Sequence, residues 1–281
     1  MRPQTIQIFL PDGNPIGIKV AELTNRIITA ILIPRNKLQD AEKREEIKKH
    51  GVYFLFGETE GKAKPTVYIG ETDDCLERIK THNRSKDFWN YAVIITSKTN
   101  SFTKSHIKYL EYLSIKHAVD INRYETDNQI IPTKPFVTES MEADLLDNYD
   151  TLKVLLATLG FPIFEEVRTT STKTKDLFYC KIRDISAEGN LINDGFVVYK
   201  NSKAAKDATN ACMKWVIELR EKLKENGILK EENGILSFLS DYIFNSPSAA
   251  SSVVLGRHSN GWTEWKNKTN NKSLDELYRK A

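Results

Sequence analysis

Gly51-Val52-Tyr53-Phe54-Leu55-Phe56 and Thr66-Val67-Tyr68-Ile69-Gly70 are two apolar, β-branched and aromatic runs of strand length, and they carry two tyrosines fifteen positions apart. Gly57-Glu58-Thr59-Glu60-Gly61-Lys62-Ala63-Lys64-Pro65 lies between them, and its glycines and proline mark a turn region, so the pair reads as a β-hairpin. Beyond Gly70, Thr72-Asp73-Asp74 reads as a threonine N-cap followed by two first-turn carboxylates. In the helix that follows, Leu76 and Ile79 fall on one stripe, Arg78 and His82 on another. One stripe packs and the other can reach a phosphate. Residues 91–96 (Tyr-Ala-Val-Ile-Ile-Thr) read as a third, buried strand, and Ser101 or Thr103 then caps a helix with Ile107, Leu110, Ser114 and Ala118 on its packed side. Glu111 leans toward that side. An ionised carboxylate there is costly unless a charge or a metal offsets its desolvation, and a hard cation such as magnesium takes oxygen ligands while keeping waters of its own. Asn122, just past this helix, is a polar residue positioned to anchor the edge of such a site.

Taken in order, Gly51-Val52-Tyr53, Tyr68-Ile69-Gly70, Arg78, His82, Glu111 and Asn122 resemble the core of the GIY-YIG nucleases over residues 51 to about 131, with Val52 where the family name has isoleucine. The resemblance implies catalysis by metal-dependent phosphodiester hydrolysis. Tyr68 would be the general base toward water, Tyr53 would orient water or phosphate, Arg78 would steady the phosphate, and Glu111 would hold one divalent ion, Mg2+ or Mn2+. His82 and Asn122 match a histidine that follows the arginine and an asparagine that follows the glutamate helix. A phenol with an ordinary pKa of about 10 must give up about 3 units to act as a base at neutral pH, roughly 4 kcal/mol, so Tyr68 needs nearby positive charge. Arg78 and a metal-bound phosphate would supply it. The expected substrate is DNA, and the same residues suit RNA. The alternative from another class is a catalytically inactive nucleic-acid-binding or interaction protein built on this scaffold.

At 281 residues the chain has room for two ordinary domains. With 28% charged and 40% hydrophobic residues, no apolar run of the ~18 residues that a bilayer span requires and no signal-peptide pattern, the expectation is a cytoplasmic protein with no membrane partner. Cys75, Cys180 and Cys212 are too scattered for a disulfide framework or a zinc site. No Gly-rich phosphate cradle is visible, so no ATP requirement is expected. Residues 1–150 carry 21 Lys and Arg against 22 Asp and Glu, net −1, and residues 151–281 carry 20 against 16, net +4. The carboxyl-terminal half is the better polyanion binder.

The expected fold is α+β: a small mixed nuclease core at 51–131 with a three-stranded sheet flanked by helices, an amino-terminal hairpin and charged helix at 1–50, a connecting helix and basic loop at 132–188, and a separate small α/β domain at 189–281. The loop places Lys173, Lys175, Lys181 and Arg183 in a Thr/Ser-rich stretch that could face phosphates. Further on, Ser202 is expected to cap a helix, Ser246-Pro247-Ser248 to start another, and Asn260-Gly261 to turn a hairpin flanked by Trp262 and Trp265. Phe244-Asn245-Ser246-Pro247-Ser248-Ala249-Ala250 followed by Asn260-Gly261-Trp262 and Trp265-Lys266 resembles a module of unassigned function found behind nucleases and in restriction-modification proteins. The resemblance says little about activity; its restriction-system associations suggest defence against foreign DNA, and the residues themselves favour a DNA-targeting module, with a protein partner equally open. Trp262, Trp265 and Lys266 would stack on bases and hold phosphates, with at least one tryptophan expected in the core. A single core has one active site, which leaves a homodimer open.

Overall fold

A computed structural model describes residues 3–59, 62, 64–165, 177–182, 184–192, 195–209, 212–232 and 234–280. The chain divides into two compact units, Met1–Glu166 and Val167–Ala281, and the architecture is α+β. Unit 1 runs β1 (Ile6–Phe9), β2 (Lys19–Leu23), β3 (Ile28–Pro34), α1 (Leu38–Ala41), β4 (Gly51–Gly57), β5 (Thr66–Thr72), α2 (Cys75–Ser85), β6 (Trp89–Ser97), α3 (Lys104–Ile121), β7 (Glu125–Thr126) and α4 (Glu139–Thr158). Its strands form one sheet in the order β1-β2-β3-β6-β4-β5-β7, antiparallel except for β7 beside β5. The expected hairpin β4–β5 is there, with Tyr53 opposite Gly70 and Leu55 opposite Tyr68.

The sheet is larger than the expected three strands. β3 is buried at every position, and a strand so apolar needs neighbours on both edges and cover on both faces. It finds them in β2 on one edge and in β6 on the other, the latter paired from Ile28–Ser97 to Pro34–Tyr91. Residues 1–50 are therefore part of the core sheet rather than an appendage. The expected charged helix at 41–50 is also corrected: α1 ends at Ala41, and only a 3-10 turn, Glu45–Ile47, follows. Ala41 and Ile47 are the only buried residues in that stretch, too narrow an apolar face to hold a helix by packing.

Period-two alternation divides the sheet into two faces. Val52, Phe54, Phe56, Val67 and Ile69 share a core with α3 and α4. Tyr53, Leu55 and Ile94 face the other way and pack with Leu76 and Ile79 of α2 and with Trp89. The leucines of α4, Leu145, Leu152, Leu155 and Leu156, complete the first core, so the helix expected as a connector belongs to unit 1. Helix starts follow local chemistry. Asp74, rather than Thr72, caps α2 by accepting from Glu77 N (3.1 Å), because Thr72 is still in β5. Thr103 and His106 form a capping box at α3.

Unit 2 contains β8 (Phe178–Ile182), β9 (Ile185–Ile192), β10 (Gly195–Val198), β11 (Lys203–Ala205), α5 (Lys214–Glu225), β12 (Leu229–Glu232), β13 (Ile235–Phe238), β14 (Tyr242–Phe244), α6 (Pro247–Leu255), α7 (Gly261–Glu264), β15 (Lys266–Asn267) and α8 (Leu274–Tyr278). Two sheets form, β14-β10-β9-β8-β15 and β11-β13-β12. Ser202 starts no helix. Its hydroxyl accepts from Glu188 N (3.0 Å) and the chain enters β11. Ser246 does cap α6, accepting from Ala249 N (3.1 Å). Asn260 does not turn a hairpin: its side chain accepts from Trp262 N (3.1 Å) and caps α7. Among the described residues no helix is long and apolar enough to cross a membrane.

Candidate active site

The α2 face of the hairpin brings four of the candidate residues together. Tyr53 is fully buried in β4, and its hydroxyl lies 2.8 Å from His82 Nε2 and accepts from Arg78 Nε at 3.2 Å. Arg78 can only donate to the Tyr53 hydroxyl, and the imidazole tautomer sets which of Tyr53 and His82 Nε2 donates to the other. Burial, with the cations Arg78 and Lys86 nearby, pushes His82 down to about 4, so the ring is neutral at pH 7. Burial also pushes the Tyr53 phenol up, with the Arg78 hydrogen bond opposing, so Tyr53 stays protonated. The expectation that Tyr53 orients water or phosphate is therefore corrected. It has no exposed surface, and its hydroxyl is occupied by His82 and by Arg78, which is itself exposed. Tyr68 is half-buried, its ring centroid 6.2 Å from that of Tyr53 and 5.1 Å from His82, and the Lys86 ammonium sits 4.3 Å from its centre. Lys86 is in turn paired with Asp127. Lys86 escaped the sequence reading because it follows the last turn of α2 and reaches Tyr68 only through the fold.

Gly70 explains the second half of the motif. A Cβ there would come within 2.3 Å of the Tyr53 hydroxyl, so the glycine makes the space in which that hydroxyl meets Arg78 and His82.

The outer edge of β5 is closed by a different device at each step. β7 pairs with Thr66 and Val67. Next, the Asn128 amide accepts from Ile69 N (3.0 Å) and donates to Ile69 O (2.7 Å), imitating a strand. Finally Glu111 Oε1 accepts from Glu71 N (3.2 Å). Glu111 thus comes from α3, on the opposite side of the sheet from the tyrosines, to the strand edge one residue past Gly70. Burial, with the Glu71 charge added, raises its pKa to about 7. A carboxylate so disfavoured as an anion fits a cation partner. Among the described residues no group of three or more His, Cys, Asp or Glu gathers, so an ion here would draw on one or two carboxylates and on waters.

Asn122 does not join this set. It is the left-handed C-cap of α3 (φ 51°), and its carbonyl accepts from Lys64 Nζ at 2.6 Å. The asparagine that braces the Tyr68 strand is Asn128, which the sequence reading missed because its role depends on meeting an edge far away in the chain.

In unit 2 the signature residues interlock. The Trp265 indole donates to Pro247 O (3.0 Å), Gly261 N donates to Ser248 Oγ (3.0 Å), and a Cβ on Gly261 would stand 2.0 Å from Pro247 O. The same residues that spell the motif seat α7 against the start of α6. Residues 178–278 match a family model described as a domain of unknown function (DUF4357). No curated protein and no solved structure matches the chain. Within the matched domain, Trp265 is fully buried and cannot stack on a base, which corrects that expectation. Trp262 is half-buried beneath the Arg279 guanidinium, 3.6 Å from the ring centre. Lys181 and Lys266 are exposed on paired strands. Lys266 is opposite Tyr179, so Tyr179, Lys181 and Lys266 share the outer face of β8–β15. Lys173, Lys175 and Arg183 lie outside the described residues.

Proposed function

We propose that this protein is a divalent-metal-dependent endonuclease that hydrolyses DNA phosphodiester bonds at the β4–β5 hairpin of unit 1. One observation carries the reading: Arg78, Tyr53 and His82 form a continuous hydrogen-bonded array against the glycine of Tyr68-Ile69-Gly70, and Glu111 caps the next residue of that strand. A scaffold has no need of an arginine anchored by a buried phenol or of a half-buried carboxylate at pKa about 7.

Each residue has a distinct part. His82 holds the Tyr53 hydroxyl, Tyr53 accepts from the Nε of Arg78, and the exposed guanidinium is thereby pre-oriented to bind phosphate oxygens and the charge that develops on them. Tyr68, with the Lys86 ammonium against its ring, takes the proton of the attacking water. Mg2+ or Mn2+ at Glu111 would polarise a phosphoryl oxygen and offset its charge. The carboxyl-terminal domain is the DNA-targeting part, and the resemblance to modules of restriction-modification proteins suggests defence against foreign DNA.

The test is cleavage of supercoiled plasmid, with RNA in parallel, in the presence and absence of Mg2+ and Mn2+. Metal-dependent nicking that Tyr68→Phe, Arg78→Ala and Glu111→Gln each abolish, with folding intact, is expected. A folded wild type that cuts neither DNA nor RNA with either metal refutes the enzyme and leaves a binding protein on this scaffold.

A further inference from the structure

A second carboxylate stands beside Glu111. Alternation along β5 puts Glu71 on the same side of the sheet as Val67 and Ile69, the side covered by α3, and its own backbone N–H is the donor to Glu111 Oε1. Glu71 is largely shielded, at 15% side-chain exposure, and its Oε2 is paired with Lys104 Nζ at 2.8 Å. Lys104 also reaches Asp73 Oδ1 at 3.2 Å.

The position of Lys104 is unusual for a lysine. It is the first residue of α3, and the first turn of that helix contains no acidic residue. The amino terminus of a helix carries positive partial charge and disfavours a cation, so the helix itself gives no reason for a lysine there. The carboxylates do. An ammonium in contact with Glu71, on the edge that Glu111 caps, supplies the positive charge that two adjacent carboxylates call for.

We propose that Glu71 is a second carboxylate of the Glu111 cation site, and that Lys104 is the resident countercharge a divalent ion displaces. This rests on the nuclease reading for the presence of the ion. Two carboxylates and waters are an ordinary donor set for magnesium or manganese, which favour oxygen and retain part of their hydration. Lys104 is 45% exposed on a flexible stem, and its existing contact with Asp73, which is 62% exposed, can hold it when Glu71 is released. Metal binding and the Lys104–Glu71 ion pair are then competing states of one carboxylate.

The experiment is Mn2+ binding to the full chain without nucleic acid, followed by electron paramagnetic resonance, for the wild type, Glu111→Gln, Glu71→Gln and Lys104→Met, with circular dichroism to check each fold. Weakening of about tenfold in Glu71→Gln and tightening of similar size in Lys104→Met are expected, with loss of binding in Glu111→Gln. Glu71→Asp, which keeps the charge, should retain more affinity than Glu71→Gln. Mn2+ binding that is lost in Glu111→Gln but unchanged in both Glu71→Gln and Lys104→Met overturns this inference alone. A wild type that binds no Mn2+ overturns it together with the metal reading of the nuclease.

Discussion

Gly70 and Tyr53 are a single unit at the level of atoms, since the hydroxyl of one occupies the space the other leaves. Gly70→Ala should cost about 1–3 kcal/mol through overpacking and reduce nicking beyond what the loss of folded protein accounts for, because Arg78 loses its anchor. A variant with wild-type melting and wild-type activity would contradict this. Titration separates buried His82 and half-buried Glu111 by sign. His82 lies at about 4 against an ordinary 6.5, so between those values the unfolded chain takes up a proton that the folded one refuses. Its contribution to stability falls as pH drops from about 6.5 to about 4, and His82→Gln should flatten that slope in thermal melts across the range. Glu111 does the reverse. It lies at about 7 against an ordinary 4.5, so the folded protein holds a proton that the unfolded chain releases, and stability falls as pH rises between them. Glu111→Gln should therefore melt higher than wild type at pH 8 without metal, by about 1–2 kcal/mol once solvent screening of a half-buried group is allowed for, and the gain should vanish near pH 4.5. A gain that persists at pH 4.5, or none at pH 8, would put the cost of Glu111 elsewhere. The placement of Tyr68, Arg78 and Glu111 on β5, α2 and α3 could be read from residue type, order and spacing. The commitment of Tyr53 to His82 could not, because that bond joins a strand to a helix 29 positions later and depends on which way each side chain faces.

At the level of elements, the two asparagines after α3 can be told apart by experiment. Asn122 matters for its backbone: at φ 51° it is a left-handed cap, a conformation asparagine tolerates and alanine resists. Asn122→Gly should be close to neutral and Asn122→Ala should destabilise by about 1 kcal/mol, with cleavage by the folded protein unchanged in both. Asn128→Ala removes two hydrogen bonds from the Ile69 backbone at the strand edge. It should cost about 1–3 kcal/mol and lower cleavage as the Tyr68–Glu71 strand loosens. Equal cleavage by Asn128→Ala and wild type would remove Asn128 from the site. The elements themselves were legible where apolar periodicity is strong, as in β4, β5, β6 and α4. They were misread where composition is ambiguous. Residues 41–50 look helical by propensity but bury too little, and Asn260-Gly261 is a hairpin dipeptide whose glycine is required by the closeness of Pro247 instead. The full sheet could not be anticipated from the hairpins, because the pairing of β3 with β6 bridges a long stretch of chain and leaves no local signal.

For the whole molecule, the excess of positive charge belongs to the half that lacks the tyrosine array: net +4 over residues 151–281 against −1 over residues 1–150. Cleavage needs few phosphate contacts at the site itself, whereas affinity for a polyanion grows with every cation that releases a counterion. On the proposed function, catalysis and retention of DNA are thus divided between the two units, and mutations should divide in the same way. Lys181 and Lys266 are the place to look, being exposed on one face of β8–β15 while Trp265 is in the core and Glu188 already pairs with Lys268. Each cation that meets a phosphate adds about 0.9 to the slope of log affinity against log salt. The double change Lys181→Gln, Lys266→Gln should therefore weaken binding of any duplex sequence alike and reduce that slope by about 2. Fluorescence anisotropy over a salt series measures both quantities, with Glu111→Gln as the background so that the substrate survives. Plasmid nicking at low salt, where affinity does not limit, should remain near wild type. A slope unchanged by the double substitution would mean that DNA does not meet this face. A loss of low-salt nicking in the folded variant would mean that the division of labour is false.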